Sequence, residues 1–265
     1  MTPTRIAIHG AAGRMGQRLV ALGSADSALK IVAGLEHSRH PRLGYDVGLL
    51  AGVGELGVPL TPQLAVESDV VIDFSVPSAV EGIVTACVER RLPVVIATTG
   101  LAPEQRARVL NAASQIALLW SPSMSLAVNL VMKLSAIAGA ALKDHSSGVD
   151  VEIIERHHRY KEDAPSGTAL KFGEILSASM GLTKHQHGRE GRPGQRPRNE
   201  IGYHAVREGD NPGEHTLIFG MLGETIELSV RATSRDCYAH GALAAAKFLA
   251  GKPAGLYGID DVLGL

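Results

Sequence analysis

Cysteine is scarce in this chain: Cys87 and Cys237 are the only two in 265 residues, and neither lies at a metal-ligand spacing from another soft donor. That excludes a disulfide framework and a thiolate metal centre, and both are expected to be reduced small hydrophobes in a cytoplasmic protein. Aromatic residues make up 4% of the chain, with a single tryptophan, too few to interleave with basic residues as a platform for stacked bases. Charge of one sign is lacking too: the formal net charge is −1, which gives no electrostatic case for nucleic acid or a membrane surface as partner. No apolar run approaches the roughly 20 residues needed to span a bilayer. The opening MTPTRIAIHG leads directly into a strand pattern, so no signal peptide is expected. Internal repeats are absent. What remains is a chain with 45% hydrophobic and 20% charged residues, long enough for one large domain or two modest ones.

Arg5–His9 reads as a short buried strand that runs into Gly10-Ala11-Ala12-Gly13-Arg14-Met15-Gly16, and a helix pattern follows through Leu22. A strand, a glycine-rich turn and a helix in this order suit a dinucleotide pyrophosphate, because glycine lets backbone approach phosphate and the helix N-terminus faces negative charge. The spacing is G-x-x-G-x-x-G, one residue longer than the usual fingerprint, and by itself it is equally a plain tight turn. A second strand, Leu29–Leu35, ends at Glu36, 20 residues after Gly16. An acid there suits the ribose hydroxyls of NAD and repels a 2′-phosphate. Arg14, His37, Arg39 and His40 could each answer such a phosphate, so both NADH and NADPH stay open. Residues 38–62 show little periodicity and read as a long surface excursion without helix.

Strand and helix patterns then alternate. Asp69–Phe74, Pro93–Ala97 and Ile116–Trp120 read as buried strands, with helices over 77–90 and 103–113. Continuous apolar strands in β-α-β order imply an α/β fold with a Rossmann-like parallel sheet covered on both faces. Ligands of such sheets bind beyond the strand C-termini, which selects the turns Gly10–Gly16, Phe74–Pro77, Ala97–Gly100 and Ser121–Met124. Thr98 and Thr99 suit a nicotinamide ring there, or ordinary turn and cap duty. Ser123 or Ser125 can cap a helix to about Lys143 whose apolar circumference predicts a buried linker between domains.

The densest polar chemistry lies in the stretch VDVEIIERHHRYKEDAPSGTAL, residues 149–170. Val149, Val151 and Ile153 alternate as in a half-buried strand. The strand delivers His157, His158 and Lys161 beside a turn, Asp163–Thr168, in which Ser166 is a candidate N-cap for the next helix. Imidazoles that titrate near neutrality, a lysine and the free N–H groups of a helix start together suit proton donation to an anionic substrate. The plain alternative is a solvated basic loop. Residues 184–200 are polar and rich in arginine, glycine and proline, and read as a loop over an active site rather than a nucleic-acid patch. Three strands, 201–207, 215–221 and 225–232, complete a second, smaller domain. The middle one is apolar on both faces, which predicts a covering subunit. A last helix, 236–250, and a short docked segment return to the first domain. The division expected is 1–124 with 236–265 for the dinucleotide, and 125–235 for substrate binding and oligomerisation.

The motifs together resemble the dihydrodipicolinate reductase family: G-A-A-G-R-M-G at 10–16, D-F-S-V-P at 73–77, A-T-T-G at 97–100, E-I-I-E-R-H-H-R-Y-K-E-D-A-P-S-G-T-A at 152–169, G-E-H-T at 213–216 and G-L-Y-G-I-D-D-V-L at the end. The resemblance spans essentially the whole chain. It implies hydride transfer from NADH or NADPH, without a metal, onto an unsaturated six-membered nitrogen ring bearing two carboxylates. Tetrahydrodipicolinate forms with overall loss of water, in lysine (diaminopimelate) biosynthesis. It further implies His157 as proton donor and Lys161 as a second catalytic donor, with His158, Ser166, Gly167, Thr168 and Arg235 binding the dicarboxylate. Gly10, Ala11, Ala12, Gly13, Arg14 and Met15 would line the cofactor, as would Glu36, His37, Ala97, Thr98, Thr99 and Ser121, Pro122, Ser123 and Met124. The implied fold is a Rossmann-like parallel-sheet domain plus a smaller α+β mixed-sheet domain, and the implied assembly is a homotetramer. Three positions depart from the family pattern: His37 where a more basic residue is frequent, Ala97 in place of glycine and Ser123 in place of asparagine. A dehydrogenase acting on another anionic substrate, such as an amino-acid semialdehyde, and a non-catalytic dinucleotide sensor are the rival readings. The intact His157–Lys161 cluster argues against both.

Overall fold

In the computed structural model, which describes residues 2–265, the apolar runs of the first half become strands sealed on both faces. They are β1 (Thr4–His9), β2 (Leu29–Leu35), β3 (Leu60–Thr61), β4 (Val70–Asp73), β5 (Val94–Ile96) and β6 (Ala117–Trp120), connected through α1 (Arg14–Ala25), α2 (Val47–Ala51), α3 (Pro77–Arg90) and α4 (Pro103–Asn111). Ile6, Ile8, Val70, Ile72, Val95 and Leu119 enter one core with Leu19 and Val20 of α1. The intervening Ala7, Val71, Val94, Ile96 and Leu118 enter a second core with Val80, Val84 and Val109 of α3 and α4. Both faces being covered, the central positions of these strands are apolar on either side. Each fully buried Val, Leu or Ile contributes about 1.5–3 kcal/mol.

Residues 38–62 are more ordered than their sequence suggests. They hold α2 and β3, and Asp46 organises them: its carboxylate accepts the N–H groups of Gly48 (2.8 Å), Leu49 (3.1 Å), Leu56 (3.0 Å) and Val58 (2.8 Å). Desolvation opposes that charge, but the four donors outweigh it and hold the carboxyl below its ordinary pKa. A helix of five residues is too short to show a period, which is why the helix pattern is missing.

The chain then runs through α5 (Leu126–Leu142), β7 (Asp150–His157), α6 (Gly167–Met180), β8 (Lys184–His187), β9 (Glu200–Arg207), β10 (Glu214–Met221) and β11 (Glu224–Arg231). The five strands form a mixed sheet in the order β11-β10-β7-β9-β8, with β7, β9 and β8 mutually parallel and β10 antiparallel to both its neighbours. Val151, Ile153, Tyr203, Leu217 and Phe219 pack on one face against Phe172 and Leu176 of α6, with Val131, Met132, Ala138 and Leu142 of α5 at the margin. The other face carries the partly exposed Ile154, His204, Thr216 and Ile218.

Two expectations are corrected here. α5 is not buried all round: one side packs on this core, and the other leaves Leu130, Leu134 and Ile137 38%, 40% and 58% exposed. Nor does the arginine-rich segment after β8 lie over the His157 end of β7. Arg189 and Arg196 clamp Glu152, and Arg196 also holds Asp150 at 2.7 Å, so the segment is fastened to the opposite end of that strand.

The remaining elements are α7 (Asp236–Leu249), β12 (Gly255–Tyr257) and α8 (Ile259–Leu263). α7 fills the first core with Ala239, Ala242, Leu243, Ala245, Ala246 and Leu249. β12 pairs in parallel with β6 and completes a seven-stranded sheet, β12-β6-β5-β4-β1-β2-β3. The chain thus divides into two units, residues up to Leu126 with Asp236–Leu265, and Ala127–Arg235. Among the described residues no helix is long and apolar enough to cross a membrane.

The packing of α6 on the mixed sheet yields a stability test. A Cβ on Gly173 would lie 1.7 Å from the Tyr203 hydroxyl. That ring stacks with His185 and with His187 at centroid distances of 5.7 and 5.0 Å, and its hydroxyl bonds His185 Nδ1 at 2.7 Å. Gly173→Ala is expected to cost about 1–3 kcal/mol by overpacking, read from the urea midpoint. An unchanged midpoint means that Tyr203 moves aside freely.

Candidate functional site

Within the first unit the four turns selected from the sequence follow β1, β4, β5 and β6, which are neighbours in the sheet. The parallel direction therefore brings the turns to one edge, on either side of the point between β1 and β4 where the strand order reverses. Gly10 adopts φ +80°, and a Cβ there would lie 2.5 Å from the Phe74 carbonyl oxygen. A Cβ on Gly16 would lie 2.1 Å from the Gly10 oxygen, so the turn closes onto α1 only with glycine at both places. Gly13 is the N-cap of α1 and offers no side-chain cap, and the first turn of that helix has no acidic residue. Its leading N–H groups are thus uncompensated, as an anion site requires. The Glu36 carboxylate stands beside the turn and accepts Ala12 N–H at 3.2 Å and His37 N–H at 3.3 Å. These residues fit a dinucleotide: a helix start for pyrophosphate and a carboxylate at the end of β2 for ribose hydroxyls.

The neighbouring turns are held together by hydrogen bonds. Ala97 N–H donates to Asp73 O, and Ser121 N–H to Ile96 O. Ser121 Oγ donates to Ser123 O at 2.7 Å, Trp120 Nε1 donates to Thr98 O at 3.3 Å, and Met124 is buried. Thr99, Pro122, Arg14 and His37 are exposed; Thr98 is buried, with its hydroxyl turned to Asp73 rather than outward.

Within the second unit the site grows from the end of β7. Alternation along that strand puts Glu155 and His157 on the same buried face, 1% and 9% exposed. Glu155 Oε2 lies 2.6 Å from His157 Nδ1. A carboxylate only accepts, so Nδ1 carries the proton and Nε2 is the ring atom left for chemistry. Arg207, on the neighbouring β9, grips both oxygens of Glu155 at 2.8 and 2.7 Å, and Ser166 N–H donates to Oε1 at 3.0 Å. Burial opposes the charge on Glu155, but Arg207 and His157 outweigh it and keep the carboxyl ionised below its ordinary pKa. Burial moves His157 the other way, below its ordinary pKa, with Glu155 opposing that shift and Lys161 and Arg207 adding to it.

Ser166 caps α6: its Oγ accepts Ala169 N–H at 3.2 Å and lies 2.9 Å from His215 Nε2. Burial pushes His215 down to about 4, so the ring beside Ser166 is neutral. The His157 and His215 rings meet edge to face at 5.2 Å. Gly213 has φ +147°, and a Cβ there would lie 3.0 Å from His157 Nε2. Glycine alone leaves that nitrogen open. Among the described residues no acceptor is bonded to the N–H groups of Gly167 and Thr168, the first turn of α6. Lys161 Nζ pairs with Asp163 at 2.7 Å and remains partly exposed.

The structure thus brings together His157, Lys161, Ser166, Gly167 and Thr168. Ser166 N–H is spent on Glu155, leaving two free donors on that turn rather than three. His158 sits one position on, with its Nδ1 buried and without a partner, and Arg235 is exposed beyond the end of β11. Sequence reasoning missed Glu155, Arg207 and His215. The period of two could have found Glu155, two residues before His157. Nothing local to Arg207 or His215 points to a carboxylate or a serine on another element.

Two family models match, described as dihydrodipicolinate reductase N-terminus over residues 4–124 and C-terminus over residues 127–263. A protein of Rhodopirellula baltica named 4-hydroxy-tetrahydrodipicolinate reductase is 55% identical over 99% of this chain and 97% of its own. A protein of the same name from Alkalilimnicola ehrlichii is 45% identical, with 99% of each chain covered. Among solved structures, dipicolinate-bound dihydrodipicolinate reductase from Paenisporosarcina sp. TG-14 superposes with a TM-score of 0.78 at 25% identity, over 97% of each chain. An amine dehydrogenase from Mycobacterium smegmatis, at 15% identity and a TM-score of 0.64, shares the fold. With both halves matched by the family models and full-length relatives well above 30% identity, the chain belongs to the dihydrodipicolinate reductase family.

Proposed function

We infer that this chain is an NAD(P)H-dependent oxidoreductase that reduces 4-hydroxy-tetrahydrodipicolinate to tetrahydrodipicolinate with loss of water, a step of the diaminopimelate route to lysine. Family membership supports the reaction. The observation that carries the chemistry is the buried Glu155–His157 pair beside the open first turn of α6.

The first unit is the dinucleotide-binding domain and the second binds the dicarboxylate. Gly10, Ala11, Ala12, Gly13, Arg14 and Met15 would hold the pyrophosphate, Glu36 the ribose with His37 next to it, and Ala97, Thr98, Thr99 and Ser121–Met124 the nicotinamide side. The bound dinucleotide supplies the hydride, as NADH or NADPH. His157 gives the proton from Nε2 to the ring that has become electron-rich, and Glu155 fixes the tautomer and stabilises the imidazolium. Lys161 leaves Asp163 to meet developing charge, as second donor. Gly167 and Thr168 N–H hold one carboxylate, Ser166 shapes that turn through Glu155 and His215, and His158 and Arg235 serve the other carboxylate.

Homotetramer assembly through the second unit is part of this reading. The sheet face with Ile154 and Ile218 supports it, since both isoleucines stay partly exposed there. A cytoplasmic setting is supported by two unpaired cysteines.

Three outcomes test the reading. With substrate made in situ from pyruvate and aspartate semialdehyde by a synthase, NADH and NADPH absorbance should fall only when the ring substrate is present. His157→Ala and Lys161→Ala should each lower kcat by about 10²–10³ while dinucleotide affinity stays within about twofold. Turnover that persists in both variants rejects the catalytic assignment. The second outcome concerns pH. Activity needs protonated His157 and is lost as pH rises through its pKa. Glu155 raises that pKa, so Glu155→Gln should move the alkaline limb of kcat/KM to lower pH; an unmoved limb removes Glu155 from the mechanism. Third, light scattering should give four chains per particle, and charged residues in place of Ile154 and Ile218 should reduce that number. A wild-type monomer overturns the assembly.

A further inference from the structure

One buried polar group in the first unit has no part in the chemistry above. Asp73, the last residue of β4, is fully buried, and its carboxylate takes three short hydrogen bonds from three different segments. His9 Nδ1, at the end of β1, lies 2.6 Å from Oδ1. Ser75 Oγ, in the connection to α3, donates to the same oxygen at 2.6 Å. Thr98 Oγ1, after β5, donates to Oδ2 at 2.6 Å. Thr98 Oγ1 in turn accepts Ser75 N–H at 3.1 Å, and its carbonyl accepts the Trp120 indole N–H at 3.3 Å. The carboxylate therefore ties the ends of β1, β4 and β5, and the Thr98 carbonyl extends the network to β6.

The placement is informative. His9 and Asp73 are paired in register across β1 and β4, the two strands between which the sheet order reverses. His9 is followed directly by Gly10, and Asp73 by Phe74, whose carbonyl oxygen presses on Gly10 where a side chain would be. Removing a carboxylate from water is expensive, and three donors at this distance are what make its burial tolerable. Sealing the sheet requires no such group, since the positions beneath it, Val71 and Ile72, are apolar. Holding the loops beyond the strand ends at a fixed spacing does require one.

We propose that Asp73 is a positioning residue for the dinucleotide: its carboxylate, through His9, Ser75 and Thr98, sets the separation between the Gly10–Gly16 turn and the 98–100 turn. The proposal rests on the cofactor reading of this unit. It assigns Asp73 no contact with the dinucleotide and no proton transfer. Its loss therefore spreads the turns and weakens cofactor binding, while a cofactor bound at saturation reacts nearly as before.

The test uses the full-length enzyme with Asp73→Asn, Thr98→Val, the two combined, and Ser75→Ala. NADH and NADPH Kd would be measured by calorimetry, kcat at saturating dinucleotide, and folding by thermal unfolding. Expected results are a Kd raised about tenfold in Asp73→Asn with kcat within about threefold, about threefold in Ser75→Ala, and a double variant no weaker than its weaker parent, because both lose the same bond. A folded Asp73→Asn that binds dinucleotide within twofold of wild type overturns the proposal, as do effects of Asp73→Asn and Thr98→Val that multiply. Should Asp73→Asn fail to unfold cooperatively, Ser75→Ala decides, and an unchanged Kd there overturns it. A wild-type protein that binds neither dinucleotide is a separate result and rejects the cofactor reading itself.

Discussion

The ionised carboxylate of Glu155, 1% exposed, is the constraint on which the second unit turns. An isolated buried charge costs several kcal/mol even after relaxation. Here the cost is met by the Arg207 guanidinium, the His157 ring N–H and the Ser166 backbone N–H, contributed by β9, β7 and the start of α6. None of these donors can leave without exposing the deficit of the others. The same bonds therefore hold the sheet to the helix, fix which nitrogen of His157 faces outward, and place the open N–H groups of Gly167 and Thr168. Stability and chemistry are not separable at this carboxylate.

The mixed direction of the sheet follows from the same requirement. β9 lies parallel to β7 with His157 opposite Arg207 in register, which carries the guanidinium to the end of β7 where Glu155 needs it. β10 runs antiparallel on the other side and aligns His215 with Glu155, and burial keeps that imidazole uncharged beside His157. A second cationic ring there would oppose protonation of the first. A neutral one shares a hydrogen bond with Ser166 Oγ and leaves the helix cap intact.

The first unit meets a related problem with different means. The edge that carries its four turns is built from backbone rather than from a charged cluster: the approach of Phe74 to Gly10 and of Gly10 to Gly16 is too close for any side chain. Glycine at those positions is a packing requirement as much as a conformational one. Glu36 and Asp73 then divide the polar work, one partly exposed beside the turn and one sealed beneath it.

The sequence by itself determined the alternation of strands and helices in the first half, the return of the last helix to that unit, and the strand-to-turn passage that carries His157, Lys161 and Ser166. Those features rest on local patterns: continuous apolar runs, glycine at a tight turn, a serine before a helix. It also carried the family resemblance. Only the tertiary structure decided what surrounds those residues. Arg207 lies 52 residues from Glu155, and Ser166 lies 49 from His215; pairing at such separations depends on register and strand order, which leave no local trace. Likewise α2 was too short to show a period, and α5, apolar nearly all round, packs only one side because a helix touches a sheet along a single stripe. The arginines after β8 read as part of a loop over an active site because composition reports charge, not partners. Glu152 is such a partner, and it became visible only when β7 and that segment were placed together.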